Sequence, residues 1–330
     1  MDRMRMYDLI YALAAQGGRE AVLFGDCAPA AREALSRSLA GAKLPEIWLE
    51  APLSGDPWLD FHALVAYEDV AGTQAAFPGQ GGAYADAIAW FAAQPPKTVR
   101  QLALSYDTRT GDVDNPAVQL LVSGRDESVP LGFLEAIGLS SAKPAYRTFA
   151  RNMPAEWYAC YVGAFPSRQT AGSPPWVRVE CLVNEESQRA YAESAEALLE
   201  DLARVGLESV GENAVASIQE LARSPFPLEF QFNVGPEGTV LPVISSSVRF
   251  QPGDWTDGAR KAEIHRLMRW IQDRGLADER WERLDETLIA TRVTYGDDTT
   301  LLACFPTFVK LRWRAGQSPD AKAYLMAFAQ

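Results

Sequence analysis

Five cationic side chains are spaced so that each would sit on the polar side of a β-strand: Arg178 in VRVECLV, Arg249 in SSSVRF, Lys310 and Arg312 in FVKLRWR, and Lys322 in AKAYLMA. Successive side chains of a strand point to opposite faces. On that rule Val177, Val179, Cys181 and Val183 share one face and Arg178, Glu180 and Leu182 the other. Val309, Leu311 and Trp313 oppose Phe308, Lys310, Arg312 and Arg314, and Ala323, Leu325 and Ala327 oppose Lys322, Tyr324 and Met326. Ser245 and Ser247 join Arg249, and Glu229, Gln231 and Asn233 form a further polar set. If the apolar sets meet helices, the polar sets line an interior in which the five cations converge. Guanidinium forks and ammonium point charges suit a phosphate or diphosphate, and the Tyr324 hydroxyl adds a donor to the same oxygens. Strand faces bearing Lys and Arg are also common where one side of an antiparallel sheet is wet. The anion site therefore stands only if the sheet closes.

Such a site would be an exception within an acidic protein. The formal net charge is -12, so the overall field repels nucleic acid and anionic membrane, and neither is expected as a partner. Hydrophobic residues make up 48% and charged residues 22% of the 330, the balance of a globular protein with a large core. The opening MDRMRMYDLIYALAAQGG lacks the pattern of a signal peptide, and no apolar run reaches about 18 residues, which points to a cytoplasmic protein. Cys27, Cys160, Cys181 and Cys304 are far apart and form no CxxC or Cys/His pattern, so they read as reduced, buried thiols and no metal site is expected. His62 and His265, the only histidines, read as packing residues. PGQGG at 78–82 contains neither GxGxxG nor a Walker lysine, which leaves nucleotide binding unsupported.

The elements that must position the cations recur in a rhythm. Residues 45–67, 98–123, 156–184, 228–250 and 307–328 each hold two β-favouring runs around a turn rich in Gly, Pro, Ser or Asp. Helical patterns fill the intervals: 83–94, 130–151, a pair within 185–223 divided at Val205–Gly206, 255–274 and 278–290. Alanine-rich stretches at 4–16 and 29–39 suggest two opening helices, and 291–306 carries no clear pattern. No linker-like composition divides the chain, so residues 1–330 read as one α+β domain. Five similar units favour a ten-stranded antiparallel barrel of β-hairpins ringed by helices, with an open α+β sandwich or two stacked domains as the alternatives.

With hairpins, helices and inner cations in place, the chain resembles the aromatic prenyltransferases of the ABBA (PT-barrel) type, especially the bacterial cyanobactin-type peptide prenyltransferases. Two motifs sharpen the likeness. WLEAPLS presents Glu50 where the family carries a first-strand glutamate, and AKAYL supplies a Lys-x-Tyr pair, Lys322 and Tyr324. This pair occurs once, where tryptophan-modifying fungal relatives repeat it. The resemblance implies transfer of a dimethylallyl, geranyl or longer isoprenyl group from its diphosphate to a peptide side chain or a small aromatic or indole acceptor. Arg178, Arg249, Lys310, Arg312, Lys322 and Tyr324 would hold the diphosphate. Trp48, Trp157, Tyr161 and Gln231 would form the wall around prenyl group and acceptor. Glu50 would orient the acceptor or take its proton, with a pKa raised by burial beside aromatic rings. Magnesium could accompany the diphosphate, and Asp107 in SYDTRTGD reads either as its ligand or, preferably, as a turn residue. A barrel that has lost the chemistry and binds a peptide or phosphorylated metabolite as a pathway accessory is the competing reading.

Overall fold

The computed structural model describes residues 46–71, 73, 82–95, 98–107, 116–122, 126–168, 175–207, 209–295 and 297–329. The two opening helices, and the turns at 108–115 and 169–174, lie outside the described residues. Strands β1 (Glu46–Pro52), β2 (Asp60–Ala66), β3 (Gln101–Tyr106), β4 (Ala117–Leu121), β5 (Trp157–Ala164), β6 (Val177–Val183), β7 (Leu228–Val234), β8 (Val240–Arg249), β10 (Asp298–Arg314) and β11 (Asp320–Ala329) pair antiparallel in succession. β11 pairs with both β10 and β1, so the ten strands close into a barrel. The five expected hairpins are therefore present and the barrel is closed.

An eleventh strand, β9 (Ile289–Tyr295), corrects the reading of the stretch before the last hairpin. Residues 279–287 form a 3₁₀ segment, and β9 pairs with the first half of a 17-residue β10, whose second half pairs with β8. Thr, Val and Tyr in IATRVTY favour a strand, and the helical pattern assigned to 278–290 overran it.

Helices α1 (Ala83–Ala92), α2 (Ser128–Ala136), α3 (Lys143–Asn152), α4 (Glu185–Glu193), α5 (Ala195–Arg204), α6 (Glu212–Arg223) and α7 (Gly258–Asp273) occupy the intervals. The 185–223 stretch holds three of them. Asn184 and Ser194 each accept a hydrogen bond from a backbone N–H of the turn they open, and Ser194 alone separates the end of α4 from the start of α5. The fourth hairpin turns at Gly235–Gly238, where Gly238 has φ +83° and an added Cβ would lie 2.7 Å from Thr148 of α3. Glycine there satisfies both the left-handed backbone and the close approach of the turn to the helix.

The core lies between sheet and helices. On β6 the pattern is strict, with Val177, Val179, Cys181 and Val183 buried while Arg178, Glu180 and Leu182 are partly exposed to the lumen. Outward Phe230 and Phe232 pack on Trp157 at centroid distances of 5.0 and 5.9 Å, and Phe149 of α3 meets Phe232 at 5.5 Å. Burying these rings on the outer face leaves the inner face free to be polar.

Candidate active site

One cavity occupies the end of the lumen where the hairpins turn. Arg178, Lys310, Arg312, Lys322, Tyr324, Trp48, Glu50, Tyr161 and Gln231 all line it, which brings together most of the residues singled out by alternation. Phe165, Phe308, His62, Ser105, Gln119 and Arg168 complete much of its wall.

Two expected members are elsewhere. Trp157 faces outward, fully buried among Tyr191, Phe230 and Phe232, and its indole N–H donates to the Tyr191 hydroxyl at 2.8 Å. The cause is a β-bulge. Trp157 pairs with Val183 and Ala159 with Cys181, but Tyr161 pairs with Glu180, leaving Cys160 as the extra residue. Trp157 and Tyr161 have the same parity in sequence, yet the bulge places one among the helices and the other in the lumen. Arg249 does face inward, at the opposite end. It pairs with Glu229 at 2.7 Å and lies 4.8 Å from the centre of the Phe308 ring, which separates it from the other cations.

The cations do not stand free. Lys322 is ion-paired with Glu50, and Arg312 with Asp320 at 2.7 Å. Arg168, in the turn after β5, pairs with Asp107 at 2.9 Å. Asp107 is thus at the cavity rim with an arginine partner, and not only a turn residue. Five Lys or Arg side chains line the cavity, and so do five carboxylates: Glu50, Asp60, Asp107, Glu180 and Asp320. The expected surplus of positive charge is replaced by a balanced set.

Arg178 and Lys310 are the exceptions, since none of the ion pairs among the described residues involves either. Arg178 donates to the neutral Asn233 side chain at 2.9 Å and lies 4.0 Å from the centre of the Phe165 ring. Burial, reinforced by the charges of Arg168 and Arg312, pulls its pKa down to about 9. An arginine set among arginines is a place where a polyanion would be stabilised. Lys310 lies over the Tyr324 ring at 4.8 Å. Burial and the neighbouring Glu50 carboxylate raise the Tyr324 phenol well above its usual value, so it keeps its proton and can donate.

Glu50 departs from expectation in the opposite sense. It is only 7% exposed, and burial alone would raise its pKa. The charge of Lys322, then the hydrogen bond to His62, outweigh burial and hold the carboxyl well below the usual range. Lys322 binds Oε1 while His62 Nε2 stands 3.2 Å from Oε2. His62, read from sequence as packing, is therefore a lumen residue. The register of β1 and β2 sets it opposite Trp48, on the same inner face.

Aromatic rings share the cavity with this carboxylate. Trp48 meets Phe308 at 5.1 Å, His62 at 6.4 Å and Tyr161 at 6.3 Å. Gln231 donates to Glu180 at 3.3 Å in the facing wall. Among the described residues no three His, Cys, Asp or Glu side chains are grouped to hold a metal ion, and no helix is long and apolar enough to cross a membrane.

No protein-family model matches the chain, and no curated protein is similar to it in sequence. Solved structures do match in shape. 5-Dimethylallyltryptophan synthase from Streptomyces coelicolor superposes with a TM-score of 0.57 at 12% identity, over 98% of each chain. The apo form of the prenyltransferase PriB gives 0.55 at 13% identity, over 98% of this chain and 96% of that one. The barrel is thus the ABBA-type fold of aromatic prenyltransferases, matched across nearly the whole chain.

Proposed function

We propose that the protein is a prenyltransferase that moves a dimethylallyl or longer isoprenyl group from its diphosphate to an aromatic acceptor. The observation that carries this reading is a single cavity that combines arginines and lysines with an anionic Glu50 and the rings of Trp48, Tyr161, Phe308 and Tyr324. PriB has been crystallised with product diphosphate and with L-tryptophan plus dimethylallyl thiolodiphosphate, which supports a donor of this class in the same barrel.

In this reading Arg178, Lys310, Arg312 and Lys322, with Arg168 at the rim, hold the diphosphate, and Tyr324 adds its O–H. As the C1–O bond breaks, its electron pair leaves with the diphosphate, whose growing charge these donors stabilise. The allylic cation is shielded from water by the aromatic wall, whose π-faces attract it. The acceptor forms the new bond to that cation and releases one proton, which Glu50 takes. Any magnesium would enter with the diphosphate as part of the donor. The acceptor belongs to the class of indoles, phenols or aromatic peptide side chains, since the wall offers ring faces and one carboxylate.

The balanced charge of the cavity favours a second reading, a barrel that binds without transferring, because a diphosphate must displace Glu50 from Lys322 and Asp320 from Arg312. Thermal stabilisation by dimethylallyl and geranyl diphosphates tests both readings, since a ligand of the native state raises its melting temperature. A shift is expected, and its absence with every allylic diphosphate overturns the prenyltransferase reading. Mass spectrometry after incubation with tryptophan, tyrosine and aromatic peptides then separates transfer from binding alone.

A further inference from the structure

Two of the groups that support Glu50 differ in kind. Lys322 on β11 belongs to the cation group that a diphosphate would compete for, whereas His62 on β2 does not. The His62 ring is itself held from behind: its Nδ1 lies 2.6 Å from Ser105 Oγ on β3, and Gln119 Nε2 on β4 donates to the same oxygen at 2.8 Å. These four residues are successive neighbours across the inner wall, with His62 opposite Ser105 in the pairing of β2 and β3.

The hydrogens can be placed by elimination. The Glu50 carboxylate only accepts, so His62 Nε2 must carry a hydrogen toward it. In the tautomer with a single N–H, Nδ1 is the acceptor and the Ser105 O–H fills it. Ser105 Oγ in turn accepts the amide N–H of Gln119. In that arrangement the hydrogen bonds Gln119–Ser105–His62–Glu50 all run in one direction, toward the carboxylate.

We propose that His62 is a positioning residue for Glu50, held by Ser105 and Gln119 so that its Nε2–H stays on Glu50 Oε2 when a donor diphosphate draws Lys322 away. The inference rests on the prenyltransferase reading for its consequence but not for its geometry. With Lys322 engaged by phosphate oxygens, Glu50 loses its nearest cation and becomes a stronger base. The remaining N–H keeps it ionised and aimed at the acceptor. The other groups facing this carboxylate are Asp60, its partner across β1 and β2, Lys310 on β10, and Tyr324 on β11, whose hydroxyl also hydrogen-bonds Glu50 but belongs to the group a diphosphate would engage. Asp60 already accepts from the Trp58 indole at 3.1 Å.

The test is a titration of the Glu50 carboxyl in protein labelled with ¹³C-glutamate, saturated with inorganic diphosphate, with the resonance assigned by its loss in E50Q. In His62→Leu the midpoint should rise by about one pH unit relative to wild type, the scale of one lost hydrogen bond to a charged group. His62→Gln, which can still present an N–H near the Nε2 position, should rise by less. If a transferable acceptor is found, the acid limb of the rate profile should move the same way. In His62→Leu, kcat should fall about tenfold or more while the KM for the donor stays within about twofold. An unchanged midpoint in His62→Leu overturns the proposal. Should that variant fail to fold, Ser105→Ala keeps the imidazole and removes the O–H to Nδ1; a smaller rise is expected, and no rise overturns the proposal. Failure of wild type to transfer to any acceptor would overturn the enzymatic reading instead, while the titration still decides the role of His62.

Discussion

The lumen holds two cation–carboxylate pairs whose acids are buried, Lys322 with Glu50 toward the hairpin turns and a half-buried Arg249 with Glu229 toward the other end, and their carboxylates are driven in opposite directions. Both acids are buried, at 7% and 1% exposure. Glu50 receives Lys322 on one oxygen and His62 on the other and is held well below the usual carboxylate range. Burial lifts Glu229 to about 7, because Arg249 compensates only in part and the charge of Glu180 pushes it further up. An ion pair in a protein interior thus does not by itself determine protonation. The second donor and the nearest like charge decide it.

The widest separation between the two pairs should appear in catalysis. Glu50→Gln should keep donor binding and lose transfer by about a hundredfold or more, whereas Glu229→Gln should keep transfer within a few-fold, as read from product formation by mass spectrometry. Equal losses would erase the distinction between the two ends. Arg178→Met should weaken binding of dimethylallyl diphosphate by roughly tenfold or more in calorimetry without lowering the melting temperature, because it removes a buried cation already crowded by Arg168 and Arg312. A loss of stability with unchanged affinity would remove Arg178 from the donor site.

The pH dependence of stability sharpens the contrast further. A carboxyl raised to about 7 in the native state binds its proton there while the unfolded chain has already released it. Between about pH 4.5 and 7 the native protein should therefore lose on the order of 3 kcal/mol from this group as pH rises, with no further change above. Glu50 has the opposite sign, and its contribution is present above the unfolded value and lost as pH falls through its depressed native value. Urea unfolding at pH 5 and 7.5 should show Glu229→Gln closing on or overtaking wild type at the higher pH; a constant difference would contradict the raised value. The smallest expected effect is Trp157→Phe, which should cost roughly 1 kcal/mol through the lost bond to Tyr191 and leave donor affinity unchanged.

Much of this geometry was legible before folding. Alternation on β6, β10 and β11 placed Arg178, Lys310, Arg312, Lys322 and Tyr324 on the inner face, and five turn signals marked the hairpins that align them. His62 was missed although the same rule applies to DFHALVA, because a lone histidine on a strand carries no label of its role until Ser105 and Glu50 are seen on either side. Arg168 lay in a turn, where alternation says nothing.

The sequence by itself determined which side chains share a face, because the two-residue period of a strand is a local property of the backbone. Only the tertiary structure decided which strands meet and where the period breaks. The bulge at Cys160 turned Trp157 outward and Tyr161 inward, and closure between β11 and β1 brought Lys322 onto Glu50, 272 residues away in the chain. That contact reversed the expected direction of the Glu50 pKa, since the balance between burial and a neighbouring charge depends on distances across the barrel wall that no local pattern encodes.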